Sequence, residues 1–491
     1  MGRQRMFRKG HVLEAEITGL AFGGKGVSKI PTDKGDFTIF VQNTFPGQTV
    51  RSQVSRCKRR YAECRLMDVI KPAPEEVDLQ YQPIPGAPYA TFPIDVQHKY
   101  KEETTIELYK RIAGLENPEK LYRGFVSSPS SWHYRNKMEY SFSSILHNIE
   151  SGEKEDGFGL GFKHRGTWWA VENLDSDSGL FDNQVESDLI KIRKWCEATG
   201  LPAWHPPKRE GFYRFFVVRR SLAEDSLLIN IVTTSGGDGQ FVPEEFVEFI
   251  RGLWGERVAG ILHTINDDIG ERVEARAGAS TLIYGRERIT ETLHGLKFDI
   301  SLSSFFQTNP HSAERLYAEV LNLALEEDLG GRDAVVLDLF CGTGTISQLL
   351  AKEHSGKVIG VDIVDSAIED ARISAQRNGS TNIEFYAADV GKFLLEYPEY
   401  RGKIRTLVMD PPRAGIAPKT LRKVIRLQAD RMVYVSCNPA TQARDIATLA
   451  ENGYKLTQFK LVDQFPHTSH VESVALFERI DGFIPKIDLN R

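Results

Sequence analysis

The feature that most constrains the fold is a regular alternation of short apolar runs with helical segments, which begins near residue 300. Helical patterns separate the first five runs. Because parallel strands need such crossover connections, the alternation predicts a parallel β-sheet covered by helices on both faces. Ligands of such sheets bind beyond the carboxyl ends of the strands. The strand candidates are residues 334–339, 357–363, 382–387, 404–409, 431–436, 455–462 and 471–477.

The last two strand candidates are joined by residues 463–470 alone, which are too few for a helical crossover. They are therefore predicted to form an antiparallel hairpin. If the sixth strand runs parallel to the others, the seventh begins at the ligand-binding edge of the sheet. Glu472 is the first acid of that seventh strand.

A cofactor site is predicted where the first strand runs into a glycine-rich turn, at residues 336–345. Gln348 stands where a dinucleotide fingerprint has its third glycine, which disfavours nicotinamide and flavin cofactors. Asp362, Asp389 and Asp410 end the next three strands. Each could simply cap a helix. Together, and without a phosphate-binding loop, they suit a positively charged nucleoside cofactor, and S-adenosylmethionine fits.

Two reactive side chains are predicted at the same edge. Cys437 ends the fifth strand, and Pro439 suits the first position of the next helix. A helix N-terminus lowers the pKa of a nearby thiol, so we expect Cys437 to be the nucleophile. Glu472 supplies a carboxylate that can take a proton. Cys341, inside the glycine turn, is expected to be a buried packing residue.

Length and composition set the broad class. A chain of 491 residues is too long for one core, so two or three domains are expected. No signal peptide and no membrane helix are predicted, because no long apolar run is present. Five widely spaced cysteines without a C-x-x-C pair argue against structural zinc and disulfides, so no metal site is predicted and a cytoplasmic location is favoured.

Charge is concentrated at the N-terminus. Residues 1–75 contain 14 Lys and Arg against 7 Asp and Glu, although the whole chain has a net charge of −5. Residues 10–70 show short apolar runs between glycine turns, which predicts an OB-like β-barrel, a common platform for nucleic acids. The basic barrel indicates a polyanionic partner, and the alternative is a solvated basic face.

At these residues the chain resembles the RNA uracil-C5 methyltransferase family, whose members form 5-methyluridine in tRNA and rRNA. Residues 23–27 and 43–47 are similar to a TRAM domain, and residues 134–137 are similar to the family's central RNA-binding domain. The order and spacing of the motifs also match, so the resemblance covers nearly the whole chain. The motifs of the C-terminal part are SFFQTN (304–309), DLFCG (338–342), DPPRAG (410–415), SCNP (436–439) and DQFPHTSHVE (463–472).

The resemblance implies an α/β protein of three domains and a tail. A TRAM-type, OB-like barrel is expected over residues 1–72, and a mixed α+β RNA-binding domain over 73–300. A Rossmann-like, S-adenosylmethionine-dependent methyltransferase domain is expected over 301–480, followed by a tail over 481–491.

The resemblance also implies a covalent mechanism. Cys437 adds to C6 of a flipped-out uracil, C5 takes the methyl group of S-adenosylmethionine, and Glu472 removes the C5 proton before the thiolate leaves. Asp410 and Arg413 are implied to orient the base. The implied cofactor contacts are Gln307, Phe340, Asp362, Asp389 and Asp410.

The chain departs from the family pattern in two places. Many members have four cysteines that bind an iron–sulfur cluster. Here residues 85–92 contain no cysteine and residues 174–178 have Asp and Ser, so no cluster is predicted. Thr345 replaces an asparagine of some relatives, which leaves its cofactor contact open.

Two other functions are alternatives to uracil-C5 methylation. An RNA cytosine-C5 methyltransferase usually has a cysteine in the fourth-strand motif, where this chain has DPPR. A catalytically silent RNA-binding factor would not need both Cys437 and Glu472. Because of the basic barrel, rRNA is slightly favoured over tRNA as the substrate. We expect a monomer that does not contact membranes.

Overall fold

The computed structural model describes most of the chain. Residues 1–6 and 33–34 of the predicted barrel and residues 488–491 of the predicted tail lie outside the described part. The side chains of residues 394 and 395 are also outside it. The described ranges are 7–32, 35–148, 151–165, 167–236, 240–273, 279–325, 334–390, 392–400 and 402–487.

The N-terminal part is a six-stranded sheet with the order β1-β5-β6-β4-β3-β2. Buried and less buried residues alternate along β4, as in a sheet with one face turned to a core. The predicted barrel strands are therefore confirmed, and the glycine-rich segment at residues 22–24 forms the turn between β2 and β3. The strands are β1 (Val12–Glu16), β2 (Gly19–Ala21), β3 (Lys25–Ile30), β4 (Phe37–Gln42), β5 (Thr49–Cys57) and β6 (Tyr61–Lys71).

A long helix and a short strand follow the N-terminal sheet. Helix α1 spans Ile94–Ile112. It is followed by β7 (Tyr122–Val126), which leaves the N-terminal half of the chain to join the C-terminal sheet.

The central part is a seven-stranded sheet with two helices, which has the mixed α+β character that the resemblance implied. The strand order is β10-β9-β8-β11-β12-β13-β14, and β12 pairs with β13 in parallel. The elements are β8 (Lys137–His147), β9 (Lys154–Lys163), β10 (Val171–Asn173), α2 (Asn183–Ala198), β11 (Tyr213–Ser221), β12 (Ser226–Thr233), α3 (Pro243–Trp254), β13 (Val258–Ile265) and β14 (Ser280–Gly285).

The C-terminal part contains a hairpin, a helix and then the alternating strands and helices. The elements are β15 (Ile289–Leu293), β16 (Leu296–Ile300), α4 (Pro310–Leu325), β17 (Val335–Leu339), α5 (Thr345–Glu353), β18 (Lys357–Asp362), α6 (Asp365–Arg377), β19 (Ile383–Ala387), α7 (Phe393–Glu396), β20 (Ile404–Met409), α8 (Pro418–Ile425), β21 (Arg431–Ser436), α9 (Pro439–Ala450), β22 (Tyr454–Val462) and β23 (Glu472–Arg479).

The C-terminal sheet has the order β19-β18-β17-β20-β21-β23-β22-β7. The first five of these strands are parallel, so that prediction is confirmed. The predicted terminal hairpin is also confirmed, because β23 runs antiparallel to both β21 and β22. The edge strand β7 was missed. It is separated from β22 by more than 300 residues of sequence, and periodicity does not report such pairings.

Strands β17 and β21 are buried along their whole length, as expected for parallel strands covered on both faces. The β15–β16 hairpin packs into the same core, together with α4. Among the helices that the structure describes, none combines the length and the apolar character that a membrane crossing needs.

Candidate active site

The two predicted reactive residues lie at the same end of neighbouring strands. In the antiparallel ladder of β21 and β23, Ser436 is opposite Ser473. One step further along each strand are Cys437 and Glu472, which therefore face each other at the carboxyl end of the parallel sheet. The negative charge of Glu472 also acts on the Cys437 thiol. The structure thus brings together two residues that are 35 positions apart in sequence.

The electrostatic state of Cys437 differs from our expectation. Helix α9 begins at Pro439 as predicted, with the Asn438 side chain accepting a hydrogen bond at its N-terminus. Nevertheless, burial and the carboxylates of Glu472 and Asp410 raise the pKa of Cys437 to about 11. Only Arg413 and the local backbone act in the opposite direction. The expected lowering of the thiol pKa was wrong, because burial and two nearby acids outweigh the helix terminus.

Three carboxyl groups at this edge, those of Glu472, Asp410 and Asp338, form no ion pair among the described residues. Burial and the charge of Asp410 raise the pKa of Glu472 to about 8, and burial raises that of Asp410 to about 6. Asp338, at the fourth position of β17, has its pKa raised to about 7 by burial, against a 2.5 Å hydrogen bond from Ser347. One Asp338 oxygen, Oδ1, is buried without a hydrogen-bond partner among the described residues. The site is therefore suited to a cationic ligand.

The glycine turn after β17 is shaped for close approach of a ligand. Phe340, the residue directly after the strand, has a positive φ of 63°. At Gly344, where φ is 76°, a Cβ atom would lie 2.6 Å from the Phe385 ring, so only glycine fits. Asp362 holds the turn, since its carboxylate accepts hydrogen bonds from the N–H groups of Gly342 (3.0 Å) and Val364 (2.9 Å).

Three further residues near the turn, Asp389, Thr345 and Cys341, differ in position and in contacts. Asp389 follows β19 as predicted, and its carboxylate lies 3.9 Å from the ammonium of Lys423. Thr345 is the first residue of α5. Cys341 packs against the cluster formed by α6 and Phe385, and burial raises its pKa, which agrees with the packing role expected for it.

The predicted cofactor contact Gln307 lies in the loop before α4. Its Oε1 atom accepts a 3.4 Å hydrogen bond from Gln464, and its side chain acts on the hydroxyl of Tyr317, lowering a pKa that burial raises. Tyr317 is buried, and the negative charges of three carboxylates raise the pKa of its hydroxyl: Asp410, Glu472 and Asp338. Sequence reasoning missed Tyr317. Its position on the buried face of the helix that follows the SFFQTN motif was the available signal.

The segment predicted to bind RNA, residues 134–137, also supports the site. The Tyr134 hydroxyl donates a hydrogen bond to the carbonyl of Pro466 (3.0 Å), and the backbone N–H of Asn136 donates to the carbonyl of Thr308 (2.8 Å). Tyr134 and Asn136 are buried. These bonds fix the central domain to the two loops that present Gln307 and Glu472.

The loop that leads to Glu472 is held from two other directions. From α1, Lys101 lies 2.7 Å from the carboxylate of Asp463, and Gln97 bonds both the backbone and the ring of His467. From the barrel, the backbone at Gly24 approaches so closely that a Cβ atom there would lie 2.8 Å from Cβ of Ser469. The N-terminal sheet and helix α1 therefore contact this loop, as the central domain does through Tyr134.

Comparisons with known proteins agree with this arrangement. Residues 250–480 match the model of the tRNA (Uracil-5-)-methyltransferase family, and residues 7–67 match the TRAM domain. An RNA methyltransferase of Clostridium acetobutylicum, itself described as uncharacterised, is 34% identical over 97% of this chain and 99% of its own length. A similarly described protein of Chlorobaculum tepidum is 33% identical over 97% and 98%.

A solved structure is similar over the same extent. The crystal structure of the Pyrococcus abyssi tRNA (uracil-54, C5)-methyltransferase in complex with S-adenosyl-L-homocysteine has a TM-score of 0.70 to this chain and 26% identity. The similarity covers 95% of this chain and 100% of that protein.

Proposed function

Since this chain belongs to the S-adenosylmethionine-dependent RNA (uracil-5-)-methyltransferase family, we propose that it methylates C5 of one uridine in a structured RNA through a covalent adduct of Cys437 with the base. The observation that carries the proposal is the register of β21 and β23, which sets Cys437 opposite Glu472. A nucleophile and a proton acceptor close to each other are what substitution at C5 of uracil requires.

In the proposed reaction, the thiolate of Cys437 adds to C6 of the flipped-out base, and the electrons of the C5–C6 double bond move towards O4. S-adenosylmethionine, when bound, supplies an electrophilic methyl group and a positive charge. After C5 has gained the methyl group, Glu472 takes the proton from C5. The electrons of that C–H bond re-form the C5–C6 double bond and expel the Cys437 thiolate.

The unusual pKa of Glu472 suits this role. A carboxylate whose conjugate acid has a pKa of about 8 is a stronger base than an ordinary one, so it accepts a proton from carbon more readily. Arg413, which is exposed and lowers the pKa of Cys437, is proposed to contact the base or its phosphate. Asp410 is proposed to serve both cofactor and base.

We assign the cofactor to the edge formed by the glycine turn and the strand ends. The acid-rich surroundings fit the sulfonium and amino groups of S-adenosylmethionine, and Asp362 follows the second strand, where a carboxylate accepts bonds from ribose hydroxyls. The proposed cofactor contacts are Gln307, Phe340, Asp362, Asp389 and Asp410.

The RNA is proposed to be bound by the N-terminal barrel as well as by the central domain. The end of β5 and its turn into β6 present four exposed cations, none of which forms an ion pair within the described residues: Arg56, Lys58, Arg59 and Arg60. Exposed cations without ion-pair partners suit phosphate contacts. We place rRNA slightly ahead of tRNA because of this basic barrel, and the P. abyssi relative, which acts on tRNA, makes tRNA the competing substrate.

A trapping experiment tests the chemistry. RNA containing 5-fluorouridine has fluorine in place of the C5 proton, so the final elimination is blocked and an adduct accumulates. The purified protein with labelled S-adenosylmethionine should give a methylated protein–RNA band that survives denaturation. Cys437→Ala should abolish that band, and Cys57→Ala, a barrel thiol, should keep it. Persistence of the adduct in Cys437→Ala would refute the assignment of the nucleophile.

A second variant separates the two roles. With ordinary RNA, Glu472→Gln should accumulate a methylated covalent adduct, because methyl transfer can proceed but proton removal cannot. Loss of methyl transfer without any adduct would instead assign Glu472 an earlier role. A product with 5-methylcytidine would favour the cytosine-C5 alternative.

The substrate is identified by mapping 5-methyluridine in rRNA and tRNA from a deletion strain and its parent. The proposal predicts one uridine that loses its methyl group in the deletion strain and regains it with the wild-type gene. Complementation with the Cys437→Ala gene should fail. A full set of 5-methyluridines in the deletion strain would contradict the proposed activity.

A further inference from the structure

A second group of side chains with ligating atoms lies outside the candidate active site, at one corner of the central sheet. His147 is the last residue of β8, His164 directly follows β9, and Glu172 lies in β10. Strand β10 pairs with both β8 and β9, so the three residues converge. One ligand atom from each lies within 4.8 Å of the other two, and no other such group of His, Cys, Asp or Glu occurs in the part of the chain that the structure describes.

The contacts within this group leave one buried imidazole nitrogen without a hydrogen-bond partner among the described residues. His164 Nδ1 lies 2.5 Å from Oε1 of Glu172, and the ring of His164 lies against that of His147, with 3.6 Å between the centroids. The Nδ1 atom of His147 is buried and has no hydrogen-bond partner among the described residues. A buried polar nitrogen without a partner is unfavourable, and a metal ion among these side chains removes that deficit.

The surroundings hold the segment that carries His164 in place. The turn after β9 is closed by a 2.9 Å hydrogen bond from the N–H of His164 to the carbonyl of Ala170. In the same turn, the guanidinium of Arg165 donates to the carbonyl of Pro85. Ligands that are already fixed lose little conformational freedom when they bind an ion.

We propose that His147, His164 and Glu172 bind one Zn²⁺ ion, with water as the fourth ligand. Two imidazole nitrogens and one carboxylate oxygen are a donor set that zinc favours. The cysteine spacing argued against a structural zinc site, and this site is compatible with that argument because it uses no thiolate. The bound ion ties His164, at the end of β9, and Glu172 of β10 to the end of β8. Through Arg165 and Pro85 it also stiffens the segment that leads from the barrel to α1.

Metal binding by the full-length protein tests this proposal. After treatment with a chelator and its removal, the protein is titrated with Zn²⁺ in a calorimeter and, separately, with Co²⁺ under visible absorption. We expect one Zn²⁺ per chain, Co²⁺ bands of a low-coordinate site that Zn²⁺ displaces, and a higher melting temperature with Zn²⁺. Absence of stoichiometric binding would mean that His164 and Glu172 form only an ion pair, and the proposal would fall.

Variants locate the ion. His147→Ala and Glu172→Gln should each remove the Co²⁺ bands and the rise in melting temperature, whereas His11→Ala, at an exposed position near the barrel, should keep both. Glu172→Gln preserves the shape of the side chain, so it decides the matter if circular dichroism shows that His147→Ala is misfolded. Retention of one tightly bound Zn²⁺ in Glu172→Gln would show that the metal binds elsewhere and would overturn the assignment.

Discussion

Lys101 of α1 and Asp463 of the loop before β23 form a buried ion pair, with 2.7 Å between Nζ and Oδ1. The two residues are 362 positions apart, and a second bond, from His98 to Oδ2 of Asp463, measures 2.9 Å. Burial acts to raise the pKa of Asp463, but Lys101 and His98 outweigh it and hold the pKa below its ordinary value. The pair therefore fixes, by charge, the start of the loop that ends at Glu472.

Removing one partner of this ion pair should destabilise the protein strongly. In Lys101→Met, the Asp463 carboxylate stays buried without its main counter-charge, which costs about 3–5 kcal/mol in comparable cases. The free energy of unfolding in urea measures the effect. Lys101→Met/Asp463→Leu should recover part of the loss, and Lys110→Met, at an exposed position of the same helix, should change the stability by less than about 0.5 kcal/mol. Equal stability of Lys101→Met and wild type would contradict a structural role.

The reactivity of Cys437 should depend on Glu472. Because the pKa of Cys437 is raised to about 11, the thiolate fraction, and with it the rate of alkylation by iodoacetamide, should rise about tenfold per pH unit up to that value. Glu472 is ionised above about pH 8 and repels the thiolate. At pH 9 Glu472→Gln should therefore react several times faster, as measured by mass spectrometry of the peptide that contains Cys437.

Glu478→Gln is the matched control for this experiment, since it lies on the same strand at the opposite end from Cys437. Its alkylation rate should equal that of the wild type. A rate in Glu472→Gln that is unchanged or lower would show that Glu472 does not act electrostatically on the thiol.

The stability of the ligand-free protein should fall as the pH rises from about 6.5 to 8.5. Glu472 titrates at about pH 8 in the folded protein and near its ordinary, lower pKa when unfolded. In this window the folded state binds more protons than the unfolded state, so each added pH unit below 8 costs up to about 1.4 kcal/mol. Asp338, with a pKa of about 7, adds to the lower part of the window.

Urea unfolding at a series of pH values measures this fall in stability. Glu472→Gln should flatten most of it, whereas Glu248→Gln, at an exposed position in the middle of α3, should leave it unchanged. A curve that keeps its full slope in Glu472→Gln would assign the proton uptake to another group. S-adenosylmethionine should also reduce the slope, because a cation stabilises the ionised carboxylate.

The sequence predicted the parts of the site that depend on local pattern. The five alternating strands fixed the edge of the sheet, and the short link over residues 463–470 placed Glu472 beside Cys437. Both inferences follow from the rule that crossover connections need many residues and hairpins need few. The glycine turn was predicted from the local sequence, and Gln307 was expected near it because of the family resemblance.

Relationships between distant segments were not predictable in the same way. Neither the pairing of β7 with β22 nor the ion pair of Lys101 with Asp463 leaves a periodic signal in one sequence. The pKa of Cys437 was mispredicted for a related reason. Helix position can be read from local sequence, but the burial of the thiol and the approach of Asp410 depend on the assembled site.

Tyr317 is expected to position Gln307 for the cofactor. Tyr317→Phe removes the hydroxyl that interacts with the Gln307 side chain, while the buried ring stays in place. A polar interaction of hydrogen-bond strength is worth about 0.5–1.5 kcal/mol, so the Kd for S-adenosyl-L-homocysteine should rise roughly 2- to 12-fold by calorimetry.

Tyr454→Phe is the control for Tyr317→Phe. Its hydroxyl bonds to the carbonyl of Ala429 at the opposite end of the sheet, so cofactor affinity should stay unchanged. If both variants weaken binding equally, the effect reports general stability and not the position of Gln307. The melting temperature is also informative. Tyr317→Phe should lower it little, although the variant binds the cofactor more weakly.

The cations between β5 and β6 should contribute to RNA affinity in a salt-dependent manner. Each phosphate contact that is lost reduces the slope of log K against log salt concentration by roughly 0.7 to 0.9. Arg59→Gln/Arg60→Gln should therefore weaken binding at low salt and make the slope shallower by roughly 1.5, as measured by filter binding. The control Lys403→Gln/Lys455→Gln changes two exposed cations of the C-terminal sheet. Both lie at the end of the sheet that is remote from Cys437, so the slope should stay unchanged. Equal slopes for the barrel variant and the wild type would leave the basic face merely solvated and would move RNA binding to the central domain.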